Sequence, residues 1–224
     1  MGVTAAKDHL YLNAEYVKDL NLDDVIFSEE SQKLDVGKKC SISLQIAQAV
    51  AHLHNQKLAI IHLDIKSENA IFSENADAVK LCDIALSKLN TLNSTLTTFA
   101  NQNELQPGTP AYQAPEIILN HSPACNSTDV WRLSCIISEV FSEEQVWPLE
   151  GDSLKEITEL MEKKETLHRL RKMLEDQAIP RVVNVVSRGL NYNSEERQAA
   201  FEFIAEFKSR YISVVLAHMS LVSC

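Results

Sequence analysis

The chain has 224 residues, 45% of them apolar and 23% charged, the balance of an ordinary globular domain with one sizeable core. A formal net charge of −10, with no stripe of lysine and arginine, excludes a protein built to grip a phosphate backbone, so no nucleic-acid partner is expected. Five scattered cysteines without a CxxC pair fit reduced thiols. No apolar run approaches the roughly 18 to 20 residues that span a bilayer, so a soluble, cytoplasmic protein with no membrane partner is expected.

Taken in chain order, His9 to Val17 alternates apolar and polar residues and reads as a short strand. Leu22 to Phe27 reads as a short helix capped by Asn21. From Val36 to about Leu58, Ile42, Leu44, Ile46, Ala47, Val50 and Leu53 recur at helical spacing and predict a long amphipathic helix. Two brief apolar runs, Ala70 to Phe72 and Val79 to Cys82, flank a polar turn and predict a small hairpin. Asn90 to Gln106, rich in Thr, Asn and Ser, reads as a long loop. Thr128 to Phe141 is apolar apart from Arg132, a few serines and Glu139, as a central buried helix would be. Further amphipathic helices are predicted around Leu154 to Lys164, Val182 to Leu190 and Ser194 to Ser213.

The chemistry concentrates in Ile61-His62-Leu63-Asp64-Ile65-Lys66-Ser67-Glu68-Asn69-Ala70-Ile71-Phe72. Phosphoryl transfer to a hydroxyl needs a proton acceptor, a cation beside the migrating group, and ligands that hold Mg²⁺ on the phosphates. Asp64, Lys66 and Asn69 have the types and spacing for those tasks, and the stretch resembles the catalytic loop of eukaryotic protein kinases. Four further segments follow in the family's order. Val79-Lys80-Leu81-Cys82-Asp83-Ile84-Ala85 resembles the metal-binding segment, and Gly108-Thr109-Pro110-Ala111-Tyr112-Gln113-Ala114-Pro115-Glu116 the substrate-docking end of the activation segment. Asp129-Val130-Trp131 resembles the start of the central helix, and Leu190 to Arg197 the late segment that supplies an arginine.

The resemblance implies Asp64, Lys66 and Asn69 as catalytic residues, Asn69 and Asp83 as ligands of Mg²⁺, and Thr109 as a substrate-docking residue. It implies a nucleotide pocket formed by Ala14 at the gatekeeper position, Glu15 and Val17 in the hinge, and Ile71 beneath the adenine. It gives structural roles to His62, to Asp129 as an anchor of the catalytic-loop backbone, and to Glu116 and Arg197 as a buried ion pair. Lys66 two residues after Asp64 and the Gly108-Thr109 pair are the Ser/Thr-type pattern. ATP and Mg²⁺ are the implied cofactors, and a protein substrate or partner the implied companion.

The fold class expected is therefore mainly α (α+β), a protein kinase-like large C-terminal lobe with small β-hairpins, the small N-terminal lobe being absent. Residues 1–17 would be a residual hinge strand and 18–224 the C-terminal lobe. With five glycines there is no GxGxxG lid for phosphates, and Lys7 is read as a surface residue. Ile84 and Ala85 stand where the family has Phe and Gly. Two functional readings follow: ATP-dependent phosphoryl transfer to protein Ser/Thr, impaired in this chain by the missing lobe, or a catalytically inactive pseudokinase-like scaffold. Leu63 replaces the arginine that commonly precedes the catalytic Asp and receives an activation-loop phosphate. Phosphorylation at Thr91, Ser94, Thr95, Thr97 or Thr98 is therefore expected to leave the rate of proteolysis of this segment unchanged; strong protection would contradict the reading.

Overall fold

The structure is a computed structural model and describes residues 2–6, 9–13, 20–28, 33–73, 77–83, 87–89, 108–147, 154–177 and 180–209. Its largest helices form where the apolar period is strongest. Helix α2 (Val36–His54) starts at Asp35, whose carboxylate accepts the Lys38 amide at 2.9 Å, and it buries Cys40, Ile42, Ile46, Ala47 and Val50 completely. Helix α1 (Leu22–Phe27) is capped by Asn21, whose side chain accepts the Asp24 amide at 2.8 Å.

Helix α4 (Asn126–Ser142) is the axle of the fold, with nearly every residue from Thr128 to Ser142 buried. Its buried serines find partners within the helix. The hydroxyls of Ser134, Ser138 and Ser142 donate to the carbonyls of Val130, Ser134 and Ser138 at 2.8, 2.7 and 2.8 Å. Around it pack α2, α6 (Glu165–Gln177) and α7 (Pro180–Gly189), with α5 (Leu154–Glu162) against α6. Helix α8 (200–209) closes the core with Phe203 and Phe207, the latter stacked on Phe141 at 6.2 Å between ring centroids. The short helix α3 is Pro115–Ile118.

The strands are short and antiparallel. β1 (Gly2–Ala6) pairs with β2 (His9–Asn13), from Gly2 opposite Asn13 to Ala6 opposite His9. A three-stranded sheet runs in the order β3 (Leu20–Asn21), β5 (Ala70–Ser73), β6 (Ala78–Leu81), with Ile71 opposite both Asn21 and Lys80. β4 (Ile60–Ile61) pairs with β7 (Lys88–Leu89). This mostly helical architecture with a small sheet is that of a kinase large lobe.

Several boundaries move from those the sequence suggests. The strand starting at His9 is described to Asn13 and has a partner, β1, that the alternation pattern did not single out. Helix α5 stops at Glu162 because the backbone turns left-handed at Lys164 (φ 54). The stretch from Ser194 is not one helix: a 3₁₀ turn (Ser194–Glu196) ends at Arg197, which is extended so that its side chain can turn inward, and α8 begins at residue 200. Helix α6 was not foreseen, although Leu167, Leu170 and Leu174 carry its period through a highly charged stretch; Leu170 and Leu174 are buried. The Asn90 to Gln106 loop and Lys7 lie outside the described residues.

Gly189 marks the tightest helix contact. A Cβ there would stand 1.9 Å from Ser134 Oγ and 2.8 Å from Phe203 Cζ. Gly189→Ala is expected to lower unfolding stability by about 1–3 kcal/mol in a denaturant titration, with Gly189→Ala/Ser134→Ala recovering part of the loss.

Candidate active site

The catalytic loop, between β4 and β5, is held from beneath by one carboxylate. Asp129, fully buried in the first turn of α4, accepts the His62 amide on Oδ2 at 2.7 Å and the Leu63 amide on Oδ1 at 3.1 Å. His54, at the end of α2, reaches the same Oδ2 at 3.1 Å, and Arg132 Nη1 lies 3.6 Å from Oδ1. Burial alone would raise the Asp129 carboxyl, but the His54 hydrogen bond, the Arg132 charge and the His62 amide outweigh it and hold the group below the usual carboxylate range. The grip matters because Leu63 has a left-handed backbone (φ 70), a conformation a leucine adopts only at a cost.

On this support Asp64 is surrounded by donors. Its Oδ1 accepts both the backbone amide and the hydroxyl of Thr109 at 3.0 Å, and its Oδ2 accepts Asn69 Nδ2 at 2.8 Å. Asn69 Nδ2 also donates to the Asp64 carbonyl at 2.9 Å, while its own Oδ1 has no protein donor among the described residues. Lys66 Nζ stands 4.0 Å from Asp64 Oδ2 and 3.8 Å from Glu68 Oε1. Asp64, Lys66, Asn69 and Thr109 thus meet at one point, although Thr109 is 45 residues from Asp64 in the chain.

Asp83 is coupled to this cluster through its neighbour. The Cys82 amide donates to the Asn69 carbonyl at 2.9 Å, and His62 Nε2 donates to the Cys82 carbonyl at 3.1 Å while His62 Nδ1 accepts the Asp64 amide at 3.3 Å. That bonding pattern needs a neutral imidazole, and burial lowers the His62 pKa accordingly. Asp83 itself is exposed, with a left-handed backbone (φ 57). Ile71 is half-buried at the centre of the three-stranded sheet; Ala14, Glu15 and Val17 lie outside the described residues.

On the far side of the docking segment Glu116 and Arg197 form a bidentate pair, Nη1 to Oε1 at 2.7 Å and Nη2 to Oε2 at 2.6 Å. Arg197 also donates to the carbonyls of Asn191 and Ser127 at 2.7 and 2.9 Å, and its guanidinium lies over the Trp131 ring at 5.2 Å.

A comparison with known families agrees with this geometry: the protein kinase domain model matches residues 1–207. The chain belongs to the protein kinase family. It is 29% identical over 148 residues to the serine/threonine-protein kinase CTR1 of Arabidopsis thaliana, covering 66% of this chain and 17% of that protein. It is 32% identical over 150 residues to the mitogen-activated protein kinase kinase kinase zak-1 of Caenorhabditis elegans, covering 62% and 19%. To the serine/threonine-protein kinase Nek5 of Homo sapiens it is 33% identical over 116 residues, covering 51% and 14%. Each alignment spans less than a fifth of the relative's own length. Among the described residues no helix is long and apolar enough to cross a membrane.

The kinase lobe contains site-supporting residues that sequence reading did not find. His54 carries no motif, and its bond to Asp129 spans 75 residues with no local signal. Glu139 was visible as an acid in the otherwise apolar later turns of the central helix. The Tyr112 hydroxyl lies 2.9 Å from both Glu139 carboxylate oxygens and 3.0 Å from the Ser67 hydroxyl, which in turn lies 3.1 Å from Asp23, so a line of polar contacts joins α4 to the catalytic loop and α1.

Two measurable consequences follow for the kinase lobe. Arg197→Leu leaves Glu116 charged and alone in the interior and is expected to cost about 3–5 kcal/mol in denaturant unfolding; an unchanged midpoint would contradict the buried pair. Burial pushes the Glu139 carboxyl up to about 8, with the Tyr112 and Val146 donors opposing it only in part. A raised folded-state pKa contributes stability that is complete below the unfolded value and is lost as pH rises through the folded one. Glu139 should therefore pull the melting temperature down between about pH 5 and pH 8, against His62, whose burial-lowered pKa adds stability as pH rises, and Glu139→Gln should remove that downward contribution, Asp23 adding a trend of the same sign as Glu139.

Proposed function

We propose that this chain is the catalytic-loop and substrate-docking part of a protein Ser/Thr kinase, with residues 1–17 belonging to the small lobe and 18–224 forming the large one. The observation that carries the reading is the setting of Asp64. One carboxylate oxygen is aimed by the amide and hydroxyl of Thr109 in the docking segment, the other by Asn69, and the Lys66 ammonium stands beside it. A carboxylate fixed in this way can accept the proton of a substrate hydroxyl presented over Thr109, while Lys66 places positive charge where the transferred phosphoryl group would pass.

The donor set also fits a hard cation. Asn69 uses its amide hydrogens on Asp64, its side-chain oxygen has no donor among the described residues, and the Asp83 carboxylate is exposed two positions beyond β6. Asn69 and Asp83 would hold Mg²⁺, which when bound neutralises charge on the phosphates of ATP. Ile71 on β5, with Ala14, Glu15 and Val17, would meet the adenine. Asp129 and His62 keep the loop in shape, and Glu116 and Arg197 anchor the docking segment.

The other reading, an inactive scaffold, is favoured by Leu63 and Ala85, which stand where the family has Arg and Gly. The two separate experimentally. The purified chain is expected to show little turnover with Mg²⁺-ATP and a protein substrate. Fusion of a small lobe with a Gly-rich loop ahead of Met1, which preserves the β1–β2 hairpin, should create Ser/Thr phosphorylation that Asp64→Asn abolishes. A folded fusion that binds ATP but transfers no phosphate, even with Ala85→Gly, would favour the scaffold.

A further inference from the structure

Arg132, buried in α4, has a chemistry that the site as described leaves unexplained. It is 1% exposed, and its Nε and Nη1 have no hydrogen-bond partner. A buried guanidinium with idle donors is expensive, and a methionine of similar length would fill the same volume without that cost, so filling space does not account for a cation here. Its surroundings do. Nη1 lies 3.6 Å from Asp129 Oδ1, the oxygen that accepts the Leu63 amide. Nη2 lies only 3.0 Å from where a Cβ on Gly108 would stand, and Gly108 (φ 123) could not carry one, since the Leu63 carbonyl is 2.6 Å from the same point. The guanidinium therefore sits at the junction of two paths, and both end on Asp64. One runs through Asp129 to the amides of His62 and Leu63, immediately before Asp64. The other runs through Gly108 to Thr109, whose amide and hydroxyl both bind Asp64 Oδ1.

We propose that Arg132 is a positioning residue, a buried counter-charge that locks the Asp129 clamp to the Gly108–Thr109 turn and thereby aims Asp64 from below. The role rests on reading Asp64 as the proton acceptor. Leu63, 5% exposed in the apolar core, brings no charge to the loop, so the buried cation on α4 supplies it from within the fold, where no modification of the activation segment is needed. The charged and titratable groups facing Asp129 are Arg132 from α4, His54 from α2 and His62 from the catalytic loop.

The test measures amide hydrogen exchange by NMR in the 224-residue protein and uses no phosphoryl transfer, so a failure of the kinase assay and a failure of this proposal are separate results. In Arg132→Met the His62, Leu63 and Thr109 amides should exchange about tenfold faster while the Ile136 and Ile137 amides of α4 keep their protection. On acidification, protection at His62 and Leu63 should fail at a higher pH than in the parent, because Asp129 has lost a charge that favours its ionised form; a space-filling role would not move this midpoint. Arg132→Lys, which keeps the charge, should retain the parental midpoint. Parental exchange at all three amides in Arg132→Met would overturn the proposal. Should that variant fail to fold, Arg132→Lys decides: retained protection at the three amides supports the role, and its loss in a folded protein overturns it.

Discussion

The Asp129 carboxylate, with no solvent exposure, holds the backbone amides of two consecutive residues, His62 and Leu63, and much of the site is arranged around that grip. A left-handed Leu63 costs about 1–3 kcal/mol in isolation, and two short hydrogen bonds to a charged acceptor are of the size needed to offset it. Residue 63 takes this conformation immediately before Asp64, whose carboxylate meets Thr109. An ionised carboxylate at this depth in turn requires counter-charge and donors, and His54 and Arg132 provide them from two different helices.

Much of the polar interior of this lobe is organised as paired units. The α4 serines bond within their own helix, Glu116 and Arg197 neutralise each other in bidentate geometry, and Glu139 shares the Tyr112 hydroxyl. The Glu116–Arg197 and Glu139–Tyr112 contacts also link chain segments that are far apart, so that the docking segment is fastened to α4 and to the 3₁₀ turn before α8 at the same time. Catalytic-loop geometry and the global core are for that reason hard to perturb separately. Glu116–Arg197 lies away from Asp64, yet both stand on the first two turns of α4.

Departures from the family pattern concentrate near the loop that the core supports best. Leu63 and Ala85 stand where the family has Arg and Gly, while Asp64, Lys66 and Asn69 keep their mutual hydrogen-bond and charge contacts. The donors that aim Asp64 come from inside the lobe and from the docking segment, so the arrangement is available without an added phosphate.

By itself the sequence determined the family, the long helices and the identity of the clustered polar residues. Motif spacing along the catalytic loop is local, and the apolar periods of α2 and α4 are set by which residues must face a core. Helix α6 was also legible in its leucine period, hidden by its charge. Only the tertiary structure decided which distant groups support the loop. The contact between His54 and Asp129, the burial of Arg132 beneath Gly108, and the chain from Asp23 to Glu139 join residues whose local surroundings carry no mark of their partners. A single histidine or arginine on a helix has the same local sequence whether it faces water or a buried carboxylate. What separates the two is the packing of α2, α4 and the docking segment, and that is a property of the folded chain.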